Sequence, residues 1–160
     1  MTGGIGIEKY EKMFQDDGDD YSVIMLKAVA DRLAEGFAET LHARVRRDVW
    51  GYAPDEDLSN EDIIAEKYQG IRPAPGYPAC PEHTVKREMF RILEAEDINM
   101  QLTEGYAMYP ASSVSGFYIS HPMSQYFNVG SIGADQVADY VQRSGRDEED
   151  VRRALASTLR

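Results

Sequence analysis

A proline-rich loop at residues 72–81 restricts the backbone more than any other part of this chain. The run Arg-Pro-Ala-Pro-Gly-Tyr-Pro-Ala-Cys-Pro holds four of the seven prolines in the 160 residues. Each proline fixes φ at about −65°, removes one backbone donor and pushes the preceding residue toward extended conformations. Gly76 supplies the tight bend or the close backbone approach. The sequence therefore predicts a rigid, largely pre-ordered loop between two helices.

Size and charge limit the classes of function. The chain has 17 Lys and Arg residues against 28 Asp and Glu, a net charge of −11. This charge repels phosphate backbones and anionic lipid heads, so nucleic acid and membrane surfaces are poor candidate partners. No apolar run is long enough for a membrane span, and the N-terminal residues show no basic region followed by an apolar segment. With a single cysteine, Cys80, we expect one cytoplasmic domain without an internal disulfide.

Helical periodicity dominates both ends of the chain. It predicts helices at residues 21–50, 59–70, 84–96, 134–144 and 147–159. Ser59 and the acid three residues later are typical of a helix start, and Gly70 of a helix end.

The first helix carries an apolar residue at every fourth position. The stripe comprises Met25, Val29, Leu33, Phe37, Leu41 and Val45. Because such a stripe turns by about 40° per step, we expect it to pack against different neighbours along its length.

Between residues 100 and 129 the hydrophobic period changes to two. Four short segments, at 101–103, 106–109, 114–120 and 126–129, predict an antiparallel meander. The fold class is therefore α+β, with a long N-terminal helix and further helices packed on the meander and with helices at the C-terminus.

Arg72 and three aromatic residues are the candidates for ligand contact. The guanidinium of Arg72 can bind a carboxylate or a phosphate through two parallel hydrogen bonds, and a salt bridge to one of the many acids is the alternative. Tyr77, Tyr126 and Phe127 offer flat faces for stacking, or pack in the core. In a regular strand at most one of Tyr126 and Phe127 faces a given pocket.

Other chemistries have less support. Cys80 and His83 have the spacing of half a metal site, but two Cys/His pairs or three ligands are not apparent, so we expect no metal. Nothing in the sequence places a base beside Cys80. Asp31, Glu35 and Glu39 lie four residues apart on the long helix, either as a solvated face or as a docking site for a cation or partner. No phosphate-binding glycine motif follows a strand.

Two motifs carry a resemblance to a known family. They are residues 70–84 (GIRPAPGYPACPEHT) and 113–122 (SVSGFYISHP), supported by segments 30–35 (ADRLAE), 50–54 (WGYAP) and 58–61 (LSNE). Together they resemble the activation domain of cobalamin-dependent methionine synthase, over residues 19 to 140.

That resemblance implies a function and a set of site residues. The family's domain binds S-adenosylmethionine (AdoMet) and presents its methyl group for reductive methylation of inactive cob(II)alamin, with the electron supplied by flavodoxin or a reductase. The cobalamin belongs to a separate cobalamin-binding module. By position, Arg72 would bind the ligand's carboxylate and the loop backbone its amino-acid and adenosyl parts. The implied AdoMet-binding residues are Arg72, Pro73, Ala74, Gly76, Tyr77, Ala79, Tyr126 and Phe127.

The same resemblance gives the acidic face of the long helix a reason. Asp31 and Glu35 match acidic positions that face the cobalamin module in the family. Phe127 stands where relatives have a second tyrosine, which removes a hydroxyl and keeps the stacking face. No side chain of this chain need act as a catalytic acid, base or nucleophile, because cobalamin does the chemistry.

The resemblance also defines an alternative. Residues 1–160 correspond to the C-terminal portion of the family's activation domain, and the N-terminal half has no counterpart before Met1. The chain is then part of a methyltransferase rather than a complete catalyst. Either it is a working AdoMet module that docks on a cobalamin protein, or it is a remnant or interaction module that keeps the fold without binding AdoMet. An unpaired sheet edge would make the isolated chain marginally stable or self-associating.

Overall fold

The architecture is a long helix with a loop-rich body beside it and a helical pair at the C-terminus. The computed structural model describes residues 1–160. The helices are α1 Glu8–Asp16, α2 Asp20–Arg44, α3 Asn60–Ile64, α4 Lys86–Ile92, α5 Ala134–Ser144 and α6 Glu148–Ala154. The strands are β1 Gln101–Leu102 and β2 Met108–Tyr109, which pair antiparallel. The predicted α+β class is confirmed, and α1 is an additional helix. None of the helices combines the length and the apolarity that crossing a membrane requires.

The long helix has the predicted extent but not the predicted packing. A π-helical turn, Val45–Val49, continues α2 to the predicted end. The buried residues of α2 are Val23 near its start and then three alanines and one histidine, namely Ala30, Ala34, Ala38 and His42. Five members of the apolar stripe are exposed, from Leu41 at 36% to Val29 and Phe37 at 52%, and only Val45 is buried. The expectation that the stripe packs along its length is therefore wrong, because the small residues of the adjacent row allow the body to approach α2 there.

Three helices are shorter than predicted: α6 stops at Ala154 rather than at residue 159, and α3 and α4 each end near a residue in a left-handed conformation. The capping box at Ser59 is confirmed, because Ser59 and Asp62 each accept a hydrogen bond from the other's backbone amide. The helix stops at Ile64, and Glu66 has φ +54°. Glu94, at φ +49°, similarly separates α4 from a short 3-10 turn at Ala95–Ile98.

The four-stranded meander is wrong beyond its first hairpin. Segments 114–120 and 126–129 form no strand, because their backbone groups bond to the proline loop instead of to each other. Ile71 and Ile119 exchange two hydrogen bonds of 2.9 and 3.0 Å, and the amide of Phe117 donates to the carbonyl of Pro73 at 2.9 Å. Prolines have no amide to donate, so this pairing remains a set of isolated contacts.

Two small clusters of buried apolar residues stabilise the body and the C-terminal helical pair. The first lies under β1 and β2 and contains Phe90, Ala95 and Met100. The second joins α5 to α6 through Ile132, Val137, Val151 and Leu155. The C-terminal pair is attached by Glu82, a buried residue whose carboxylate accepts hydrogen bonds from Tyr140 and Arg146.

Candidate functional site

A cavity of about 710 Å³ lies between α2 and the proline loop. Seven of the eight predicted AdoMet-binding residues line it, namely Arg72, Pro73, Ala74, Tyr77, Ala79, Tyr126 and Phe127. The other lining residues are Glu35, Ala38, Glu39, Pro78, Val114 and Asn128. The structure therefore brings together residues that are separated by more than 90 positions in the chain.

Gly76 is the one predicted AdoMet-binding residue that does not line the cavity. It has φ +98°, and a Cβ atom there would lie 2.2 Å from the ring of His83. Its amide donates to the carbonyl of Cys80 at 2.8 Å, and Cys80 donates back to Tyr77 at 2.9 Å. Only glycine fits this bend without strain, so Gly76 shapes the loop that carries Tyr77 and Ala79.

Two residues of the proline loop that line the cavity have unpaired backbone amides. The amides of Ala74 and Ala79, both half-buried, make no hydrogen bond within the chain. Other loop amides are used internally, as in the bond from Tyr77 to the carbonyl of Ala74. Since the two alanines line the cavity, these two amides are available to a ligand.

Arg72 is held by Glu39 from the facing side of α2. The two side chains form a bidentate ion pair, in which Nη1 of Arg72 donates to Oε2 of Glu39 at 2.8 Å and Nη2 donates to Oε1. The side chain of Arg72 is 22% exposed and that of Glu39 is 38% exposed. Burial is the largest single effect and lowers the pKa of Arg72, but the hydrogen bonds and charge of Glu39 together with Tyr68 and Tyr126 outweigh it, so the pKa of Arg72 is raised. Arg72 therefore forms the salt bridge that was the alternative to ligand binding in the sequence analysis, and both partners of this salt bridge line the cavity.

A buried aromatic cluster supports Arg72 from behind. His42 is fully buried, stacks on Tyr118 at 4.8 Å between ring centroids and meets Tyr68 edge-on. Burial, with smaller contributions from the cations of Arg46 and Arg72, lowers the pKa of His42 to about 4. A neutral His42 accepts hydrogen bonds at one ring nitrogen, and its Nδ1 lies 3.4 Å from Nη1 of Arg72.

Arg46 completes the same cluster. Its guanidinium lies 4.3 Å from the ring centroid of Tyr68 and donates twice to Glu56, each time at 2.7 Å. The Nη1 group of Arg46 and the hydroxyl of Tyr68 are buried without a partner in the chain. Burial raises the pKa of Tyr68 to about 12, so its hydroxyl stays protonated.

The aromatic residues form the outer wall. Tyr77, Tyr126 and Phe127 are exposed at 67%, 42% and 60%, so they do not belong to the core. Both Tyr126 and Phe127 line the cavity, because their segment is not a regular strand and the alternation of faces does not apply. The hydroxyl of Tyr126 also accepts a hydrogen bond from the amide of Arg72 at 3.0 Å.

Asp31 and Glu35 lie on the same side of α2 as Glu39. Glu35 lines the cavity and pairs with Arg32 at 2.9 Å, whereas Asp31 is exposed one turn away, outside the cavity wall. This acidic row lies beside the cavity mouth.

Several contributors were not predicted. Glu39 was identified from the sequence as one of three acids on α2 but was not placed in the ligand site. Its spacing of four residues from Glu35 was the only pattern that indicated a shared surface. Ala38, Val114 and Asn128 have no local pattern that marks them. No group of three His, Cys, Asp or Glu side chains is arranged to hold a metal ion.

Two comparisons with known proteins bear on this site. A sequence model of the family described as "Vitamin B12 dependent methionine synthase, activation domain" matches residues 1–145. A solved structure, "Crystal Structure of the MetH Reactivation Domain bound to AdoHcy", is similar with a TM-score of 0.95 and 55% sequence identity. The match covers 99% of this chain and 49% of that one, so this chain spans about half the length of the solved protein.

Proposed function

Because this chain belongs to the activation-domain family of vitamin B12-dependent methionine synthase, we propose that it binds AdoMet in the cavity beside Arg72. The observation that carries the proposal is the convergence of seven predicted residues on one cavity. The solved relative, at 55% identity, is bound to AdoHcy, which is what AdoMet becomes when its methyl group is lost.

The cavity fits such a ligand in size and chemistry. Its volume of about 710 Å³ lies within the usual range for small-molecule sites, roughly 300 to 1,000 Å³. Arg72 offers a fork of donors for a carboxylate, and the amides of Ala74 and Ala79 offer donors for the rest of the molecule. Tyr126 and Phe127 provide faces for stacking on an adenine ring.

The chain's own residues position the methyl donor. Arg72 would hold the carboxylate, and the rigid loop would fix the remainder of the ligand with little loss of backbone entropy. Cobalamin, held by a partner module and reduced by one electron from flavodoxin or an equivalent reductase, supplies the acceptor for the methyl group. The methyl group would leave the sulfonium as a methyl-cation equivalent, so that the positive charge passes to the reduced acceptor, which supplies the electron pair of the new bond, and the sulfur remains as the neutral thioether of AdoHcy.

Docking of the cobalamin module belongs to the same proposal. Asp31 and Glu35 lie on the acidic row beside the cavity, with no partner for Asp31 among the ion pairs of the chain. We assign them to contact with that module, which would bring the methyl acceptor to the cavity mouth.

Isothermal titration with AdoMet tests the proposal. Wild type should bind in the cavity, and Arg72→Gln should weaken binding by about 10- to 100-fold, since a charged hydrogen-bond pair contributes roughly 1.5 to 3 kcal/mol. Arg91→Gln is the matched control, because Arg91 forms a similar bidentate ion pair with Glu88 on the exposed face of α4. If folded wild type gives no binding heat, the proposal is wrong and the interaction-module alternative takes its place.

A further inference from the structure

The ion pair of Arg72 with Glu39 leaves hydrogen-bonding groups without a partner on both side chains. Glu39 takes one donor on Nη1 and one on Nη2 of Arg72, and His42 lies near Nη1. An arginine has five N–H donors, so one on Nε and one on Nη2 remain, side by side. These two donors form a second fork that can receive a carboxylate.

Glu39 is only half used as well. Its carboxylate accepts hydrogen bonds from Arg72 alone, one on each oxygen. A carboxylate has about four lone-pair sites, so roughly two remain free. Glu39 lines the cavity and is 38% exposed, which leaves these sites accessible to a ligand.

Adjacent charges of opposite sign match the head of a free amino acid. Its ammonium and carboxylate groups are attached to the same carbon atom, so they lie next to each other as Glu39 and Arg72 do. We propose that Glu39 binds the α-ammonium group of the ligand while Arg72 binds its carboxylate, so that the ion pair selects zwitterionic ligands. This inference rests on the proposed function and extends it to a specificity residue on α2.

The surroundings of the pair agree with this role. His42 supports Arg72 without adding a positive charge, so Glu39 remains the only carboxylate in contact with the guanidinium. Glu35, one turn before Glu39, also lines the cavity, but its carboxylate is paired with Arg32. Glu39 is therefore the acid placed to meet an ammonium next to a carboxylate that is bound to Arg72.

The test separates contact with the ammonium from mere support of Arg72. AdoHcy and its analogue with the amino group replaced by hydrogen differ only in the ammonium, and neither carries a sulfonium. Titration calorimetry with wild type should show AdoHcy binding at least tenfold more tightly than the analogue. In Glu39→Gln this preference should fall to about twofold or less, with AdoHcy affinity reduced by roughly 10- to 100-fold.

Controls make each outcome decisive. Glu88→Gln removes the acid from a similar Glu–Arg pair outside the cavity and should preserve the preference. Glu39→Asp keeps the negative charge and should retain part of the preference for AdoHcy over the analogue. If Glu39→Gln weakens both ligands equally, Glu39 only positions Arg72, and if it tightens AdoHcy binding, Glu39 competes with the ligand. Either result overturns the inference while leaving the proposed function in place, whereas absence of wild-type binding refutes both.

Discussion

The hydroxyl of Tyr126 accepts a hydrogen bond of 3.0 Å from the backbone amide of Arg72. This contact connects the outer aromatic wall of the cavity to the first residue of the proline loop. It satisfies an amide that has no other partner in the chain.

Tyr126→Phe tests the importance of this bond. The substitution keeps the aromatic face and removes the hydroxyl, so the loop loses one anchor beside Arg72. A net hydrogen bond contributes roughly 0.5 to 1.5 kcal/mol, and we expect AdoMet affinity to fall by about two- to tenfold in a calorimetric titration. Phe127→Leu removes the neighbouring aromatic face but no hydrogen bond, and serves for comparison. Unchanged affinity in Tyr126→Phe would show that the loop holds its position without the tyrosine.

The packing of α2 leads to a second prediction, on stability. Leu33 is 51% exposed and Ala34 is 1% exposed, although the sequence pattern favoured Leu33 as the buried residue. Leu33→Asn should change the free energy of unfolding by about 0.5 kcal/mol or less, as exposed substitutions usually do. Ala34→Leu should cost roughly 1 to 3 kcal/mol, because a larger side chain cannot fit against the body. Urea denaturation measures both, and the reverse order would show that the apolar stripe is buried.

Which features could be predicted depends on how local their causes are. The start of α3 at Ser59 and the bend at Gly76 follow from interactions within a few residues, and both were predicted. The segments at 114–120 and 126–129 have strand-like periodicity, but pairing with the proline loop determines their conformation. Glu39 joins the site only because α2 packs with its small residues inward, which places the acidic row against the loop. Tertiary contacts of this kind have no local pattern in a single sequence that would predict them.

Gly76 is the position where backbone conformation should matter most. Gly76→Ala places a Cβ atom at φ +98° and 2.2 Å from the ring of His83. The unfavourable φ alone costs about 1 kcal/mol or more, and the close contact adds to it. Urea denaturation should show the loss, and His83→Ala in the same chain should recover the part that is due to the ring. If Gly76→Ala is as stable as wild type, the loop does not adopt this bend.

His42 should make stability depend on pH. Its pKa in the folded chain is about 4, below the ordinary 6.5, so the unfolded chain binds more protons between these values. The stabilisation is therefore complete above about pH 6.5 and is lost as the pH falls toward 4. We expect the free energy of unfolding to be about 2 kcal/mol lower at pH 5 than at pH 7 from this group.

Direct titration checks the cause. The imidazole proton signals of His42 in NMR spectra should move with a midpoint near pH 4. A midpoint for His42 near 6.5 would contradict its burial beside Arg46 and Arg72.

The position of bound ligand tests the central claim most directly. Ala74 and Ala79 line the cavity beside Arg72, whereas Ala95 lines a separate cavity near β1. With isotopically labelled protein and unlabelled AdoMet, nuclear Overhauser effects from the ligand should reach Ala74 and Ala79 and be absent at Ala95. Ligand contacts at Ala95, or none at either alanine of the proline loop, would contradict the assignment of this cavity to AdoMet.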